Sequence, residues 1–361
     1  MTKKKLPSEI IDETLNLFSN SKFEEAIDLI KDLNKKYPNE PLLFNILGAC
    51  YISTGDMENS LVSFEKAISI KPDYIDALYN LSNALKNLDR LEESIFNYKK
   101  LIDIEPSHDE ALFNIGVIFQ ELNNKNTAIE YYEKALLSNP KNTRARINLG
   151  YIFQSLGKFN DAIEEYEKVL EIDSNDIVSL NNLGSCMRQT GMPKEAIIFF
   201  QKALKIKPNY SDANYNLGFV FQDLGNVSQA IHYYECAIKI DNHAMSYHSL
   251  SYLKNYQSND SQILDMISLL KSKSLSQTER IHINLALANI YERLENQVNF
   301  FHHLDEANKL QKVKQNFTLN RTEDEHKAIK KIFGLSAPHF QIEHSKNSSK
   351  KPIFIVGMPR S

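Results

Sequence analysis

The sequence predicts an all-α solenoid of stacked helix-turn-helix units, on three observations. Prolines recur at Pro38, Pro72, Pro106, Pro140 and Pro208, in steps of 34 residues with Ser174 filling the one gap. Taking Pro7 as position 1, small residues recur at position 8 (Thr14, Gly48, Ser82, Gly116, Gly150, Gly184, Gly218) and position 20 (Ala26, Ser60, Ser94, Ala128, Ala162, Ala196, Ala230). Large apolar or aromatic residues recur at position 24: Ile30, Phe64, Tyr98, Tyr132, Tyr166, Phe200 and Tyr234. Seven units of 34 residues thus run from Pro7 to Ala244 without insertion.

Each position has a physical role in a helix pair. Small residues at positions 8 and 20 let two backbones approach, and large ones at 7, 11 and 24 (Leu149, Phe153 and Tyr166 in one unit) fill the space between them. Gly157, Gly191 and Gly225 fall where the first helix needs a left-handed end. The position-32 proline stops the second helix. One hairpin cannot bury its own apolar face, so neighbours must stack. This set of residues at one period resembles the tetratricopeptide repeat (TPR) family. The resemblance implies a right-handed superhelical solenoid that holds a peptide or protein in its concave groove.

Composition narrows the function classes. The chain has 361 residues and a formal net charge of -4, with a pI near 6.2. Nothing in that charge balance advertises nucleic-acid binding, which usually needs a basic face, and Lys3-Lys4-Lys5 reads as a solvated terminus. No apolar h-region follows that run, and no apolar stretch approaches the roughly 20 residues of a membrane span. Three separated cysteines, Cys50, Cys186 and Cys236, argue for a reducing, cytoplasmic setting. His302-His303 and the other histidines lack ligand-like spacing, so no metal site is expected and they read as surface or packing residues. A homodimer through exposed end helices is left open.

A candidate binding column lies at position 6: Asn80, Asn114, Asn148, Asn182 and Asn216. On a helical wheel at about 100° per residue this position falls roughly opposite the core set 4, 7, 8 and 11. Asparagine is a mediocre helix former, so stability alone does not ask for it repeatedly on an outward face. Its amide both donates and accepts, and a column of amides could pair with the backbone of an extended peptide. The column resembles that of O-linked N-acetylglucosamine transferase repeats, where such asparagines grip peptide backbone. The bland alternative is duplicated repeats carrying a neutral polar residue along. Tyr151 and Phe219, at position 9, would suit apolar anchors of a partner or be buried between repeats.

Register breaks after Ala244. Residues 245–335 read as a degenerate TPR-like helical region, interrupted at Gln257-Ser258-Asn259-Asp260. Ser276 with Glu279 forms a capping box. Leu287, Ala288, Tyr291, Phe300, Leu304 and Ala307 then fit positions 7, 8, 11, 20, 24 and 27 of an eighth, shifted unit from Ile281, whose position 6 is Ala286. Thr322 with Glu325 caps a further helix ending at Gly334, and residues 336–351 read as a polar linker.

Residues 352–361 read Pro-Ile-Phe-Ile-Val-Gly-Met-Pro-Arg-Ser. The run Ile353–Val356 looks like a buried parallel strand opening into a loop at Gly357, where anion sites of α/β sheets lie. A Walker A loop would need a following Gly-Lys-Ser/Thr. Gly357, Pro359, Arg360 and Ser361 resemble the opening of the phosphosulfate loop of sulfotransferases, which use 3'-phosphoadenosine 5'-phosphosulfate (PAPS). The whole resembles bacterial TPR-sulfotransferase fusions, related to tyrosylprotein sulfotransferases. It implies a vestigial first β-strand and loop of a missing α/β P-loop-like domain. The intact parent would be a PAPS-dependent sulfotransferase whose repeats present a peptide or protein acceptor. The chain by itself is then expected to be truncated and inactive, with no catalytic residue or cofactor of its own. The alternative is a stand-alone adaptor for protein–protein interaction; a glycosyltransferase helper has only the asparagine column in its favour.

Overall fold

A computed structural model describes residues 6–314, which form eighteen α-helices. The first seven units each place an A helix before a B helix. They are α1 (Ser8–Ser19) and α2 (Phe23–Lys36), α3 (Pro41–Thr54) and α4 (Met57–Ile70), and α5 (Ile75–Asn87) and α6 (Leu91–Ile104). Next come α7 (Asp109–Glu121) and α8 (Lys125–Ser138), α9 (Thr143–Ser155) and α10 (Phe159–Ile172), and α11 (Ile177–Gln189) and α12 (Pro193–Ile206). The seventh pair is α13 (Ser211–Asp223) and α14 (Val227–Asp241), followed by α15 (Ala244–Leu253), α16 (Ser261–Lys271), α17 (Gln277–Arg293) and α18 (Gln297–Lys314). Contacts divide the chain into one compact unit through Lys254 and a second from Asn255.

Position 8 is small because the position-24 ring lies directly on it. A methyl group built on Gly48, Gly116, Gly150, Gly184 or Gly218 would come within 2.5–2.8 Å of the ring of Phe64, Tyr132, Tyr166, Phe200 or Tyr234. These rings are fully buried. Five of the seven units therefore interlock a bare backbone with an aromatic plate, which is close packing achieved through a residue without a side chain.

The A-to-B turn sets the helix pairing through position 15. Gly55, Gly157, Gly191 and Gly225 there have positive φ, as the glycine pattern implies, and so do Ser21, Asp89 and Asn123 in the other units. The eighth unit repeats the turn at Glu295 (φ 55). All eight units thus make the same left-handed turn, which an L side chain adopts only at a cost of about 1–2 kcal/mol. The B-to-A turn, in contrast, survives loss of its proline. At Ser174 the helix stops two residues earlier at Ile172, as its proline-bearing counterparts do, and the Asp173 carboxylate accepts from the Asn175 N–H at 3.0 Å.

In the second unit the Ser276–Glu279 capping box forms, with Ser276 N–H donating to Glu279 Oε2 at 2.7 Å and Glu279 N–H to Ser276 Oγ at 3.3 Å. The packing of α18 differs from the assignment of Leu304 to the aromatic position. His303 is the buried side chain and Leu304 is half-buried, because Tyr291 stacks on the imidazole (centroids 5.7 Å, planes 4° apart) and Asn284 Oδ1 lies 2.8 Å from Nδ1. Burial pushes the His303 pKa down to about 4. The helix expected to end at Gly334, the linker 336–351, the strand and loop 352–361, and with them Gly357, Pro359, Arg360 and Ser361, lie outside the described residues.

Candidate functional site

Successive A helices touch one another, α3 with α5, α9 with α11 and α11 with α13, and no pair of successive B helices among the described residues does so to the same extent. The A helices therefore line the inner side of the first compact unit. Position 6 sits on that side, but not as the helical wheel placed it. Asn114 is buried and Asn80, Asn148, Asn182 and Asn216 are half-buried, because the wheel treats a helix as alone while the preceding unit packs against this position.

The column is wired to the preceding unit through tyrosine hydroxyls or through other amides. Asn148 Nδ2 donates to Tyr132 Oη at 3.1 Å, and Asn114 Nδ2 donates to Tyr79 Oη and to Asn83 Oδ1, each at 3.3 Å. Two others turn to a position-5 asparagine: Asn80 Nδ2 donates to Asn45 Oδ1 at 3.0 Å beside Phe64, and Asn216 Nδ2 to Asn181 Oδ1 at 2.9 Å beside Phe200. Tyr132 and Tyr234 in turn donate to position 12, to Gln120 Oε1 at 2.8 Å and Gln222 Oε1 at 2.7 Å, while Tyr98 donates to Asn83 Oδ1 at 2.5 Å. Burial holds the Tyr98, Tyr132, Tyr166 and Tyr234 phenols well above the usual tyrosine range, so they stay neutral. Much of what calls for asparagine is this polar bracing between units.

The bracing leaves groups over. Asn148 uses one N–H on Tyr132 and keeps a second N–H and its carbonyl oxygen. It faces a cavity of about 460 Å³ between α7 and α9, lined by Val117, Gln120, Glu121, Asn148, Tyr151 and Ser155 among others, with Lys125 at its margin. The structure therefore brings two of the sequence-predicted residues, Asn148 and Tyr151, into one site, and adds Gln120 and Glu121. Tyr151 is 55% exposed and available to a partner. Phe219 is not its equivalent: it is half-buried, with the Arg188 guanidinium stacked 4.3 Å from its centroid and Tyr215 edge-on at 6.2 Å. Arg188 is itself held by Asp223 at 3.0 Å.

The titratable chemistry here is quiet. Burial raises the Cys50 thiol to about 11 and Cys186 to about 12, so both remain protonated at neutral pH. Among the described residues no group of three or more His, Cys, Asp or Glu side chains could hold a metal ion, and no helix is long and apolar enough to cross a membrane.

Helix pairs interlocked by a position-8 glycine and a position-24 ring, with an inner face built from A helices, define a repeat scaffold. Family models described as tetratricopeptide repeat match residues 75–108, 109–142, 141–209 and 199–232, and one described as TPR repeat matches 48–89. The chain is a tetratricopeptide-repeat protein. It is 30% identical over 74 residues to the peroxisomal targeting signal receptor of Candida glabrata, covering 20% of this chain and 12% of the receptor. It is 29% identical over 79 residues to the mitochondrial import receptor subunit TOM70 of Saccharomyces cerevisiae, covering 22% of this chain and 13% of that protein. The likeness to these relatives thus spans about an eighth of their length. In fold it is similar to the C-terminal part of a TPR protein from Cytophaga hutchinsonii, at a TM-score of 0.55 and 19% identity, covering 64% of this chain and 95% of that one.

Proposed function

We propose that the A-helix face holds an extended peptide segment of a partner protein, seated between α7 and α9. The cavity carries this reading. It pairs an exposed aromatic ring, Tyr151, with amides at Asn148 and Gln120 that can meet a peptide's own N–H and C=O groups. The local likeness to two import receptors supports a role in recognising proteins. The test is a peptide array followed by titration of the best binder. Tyr151→Ala is expected to weaken that peptide by about tenfold, as truncation of an aromatic anchor does, with the melting temperature unchanged. If no peptide binds saturably, or if Tyr151→Ala leaves every affinity as it was, the face is not a peptide site.

A finer reading rests on residues 352–361. The repeats would serve a PAPS-dependent sulfotransferase by presenting its acceptor, with Gly357, Pro359, Arg360 and Ser361 on the 5'-phosphosulfate and Arg360 clamping its oxygens. Calorimetry with PAPS on this chain and on one extended through the downstream reading frame tests it. Binding and sulfate transfer by the extended protein alone support the reading. Binding by neither favours an adaptor.

A further inference from the structure

A second cavity, about 520 Å³, lies away from the inner face. It sits between α8 and α10 and is floored by Leu149 and Phe153, which occupy a different side of α9 from Asn148, Tyr151 and Ser155. Three observations mark it. First, Leu137 at its edge is 83% exposed. The same repeat position holds Lys35, Ser69, Asp103, Glu171, Lys205 and Lys239 in the other regular units, all polar and exposed. The repeats are their own control, and one unit alone puts a leucine there.

Second, the rim is acidic. Asp161 and Glu164 of helix α10 line the cavity, on a helix whose net charge, including Glu165, Glu167, Lys168 and Glu171, is -4. Glu133 of α8 faces the same cavity. Glu164 pairs with Lys168 at 2.7 Å, while among the described residues no cation pairs with Glu133 or Asp161.

Third, the walls are braced. Glu165 is 8% exposed and pairs with Arg146 at 2.8 Å, where two other units pack Tyr131 against Leu112 and Phe199 against Leu180. Arg146 also donates to the Pro140 carbonyl at 2.9 Å, tying the loop after α8 to α10. A cavity held open by such a tie loses little entropy when filled.

We propose that this cavity is a second docking site, for a basic amphipathic segment of a partner protein. A bulky apolar side chain of that segment packs on Leu137 and Phe153, and flanking lysines or arginines meet Glu133, Asp161 and Glu164. The carboxylates speed encounter and exclude acidic segments, and the apolar contact supplies retention. The protein is then a two-sided scaffold, with this site independent of the inner face.

The probe is a fluorescein-labelled dodecapeptide of lysine and leucine, with a counterpart in which glutamate replaces every lysine. Anisotropy with the full chain is expected to show saturable binding of the basic peptide and none of the acidic one. Leu137→Ser, at a position too exposed to disturb folding, should weaken binding by about tenfold, and Asp161→Lys by at least as much. Glu167→Lys, the same charge change on α10 but outside the cavity, and Tyr151→Ala on the inner face should each change it less than about twofold, within the usual effect of a peripheral contact. Absence of saturable binding, indifference to Leu137→Ser, or an equal loss in Glu167→Lys would overturn the proposal.

Discussion

The regular array and the α17–α18 pair use the same turn and different packing. Both make the left-handed bend at position 15, at Gly157 in one and Glu295 in the other. Only the array has glycine under an aromatic plate and an amide column tied to the unit before it. In α17 those places hold Ala288 and Ala286, both buried, and the buried polar contact is Asn284 to His303 instead. The turn is thus what the helix pair itself requires. The amide column belongs to stacking along the array, and where it ends a different buried polar pair takes over.

The comparison breaks most sharply at position 8. Gly150→Val is expected to cost about 3 kcal/mol or more, since its Cβ would lie 2.8 Å from the Tyr166 ring in a core that cannot yield. Ala288→Val in the other unit should cost less, because that backbone already carries a Cβ. Urea melts of the two variants check the ranking. Next in size is the pH response of α17–α18. The folded His303 pKa, about 4, lies below the ordinary histidine value of 6.5, and charge on neighbouring His302 pushes it further down while Glu306 opposes. The unfolded chain therefore binds the proton first, and this contribution, whole above pH 6.5, is lost as pH falls from 6.5 toward 4. His303→Asn should flatten that dependence in thermal melts.

Smaller effects sharpen the account of the amides. Asn148→Ala strands one bond of the buried Tyr132 phenol and should cost about 1–2 kcal/mol. Tyr132→Phe should recover part of that in the double variant, since Phe64 and Phe200 occupy the same place in other units. A double-mutant cycle with no coupling would show that the bracing contributes nothing. The smallest effect is at the turn. Glu295→Gly should gain up to about 1 kcal/mol and Gly157→Ala should lose about as much, because only glycine adopts positive φ without penalty.

Much of this molecule was legible in one dimension. The period, the pairing of position 8 with position 24 and the Ser276 capping box follow from residues whose roles are local or repeat at a fixed offset. The site was half legible. Asn148 and Tyr151 stood out by type and position, and the structure joins them in one cavity. The half-burial of the amides was not visible, because it comes from the preceding unit packing against them. Nor could a wheel tell exposed Tyr151 from Phe219, which Arg188 covers.

The sequence by itself determined the unit. A glycine and a ring 16 residues apart, and a turn at position 15, specify a helix pair through short-range sterics. Tertiary structure alone decided which amide meets a tyrosine hydroxyl, why Leu137 borders an acidic cavity, and why His303 rather than Leu304 is buried. Those outcomes depend on groups in separate helices, as with Asn216 and Asn181, 35 residues apart. Their distance from one another is set by how helices stack, which no helix encodes on its own.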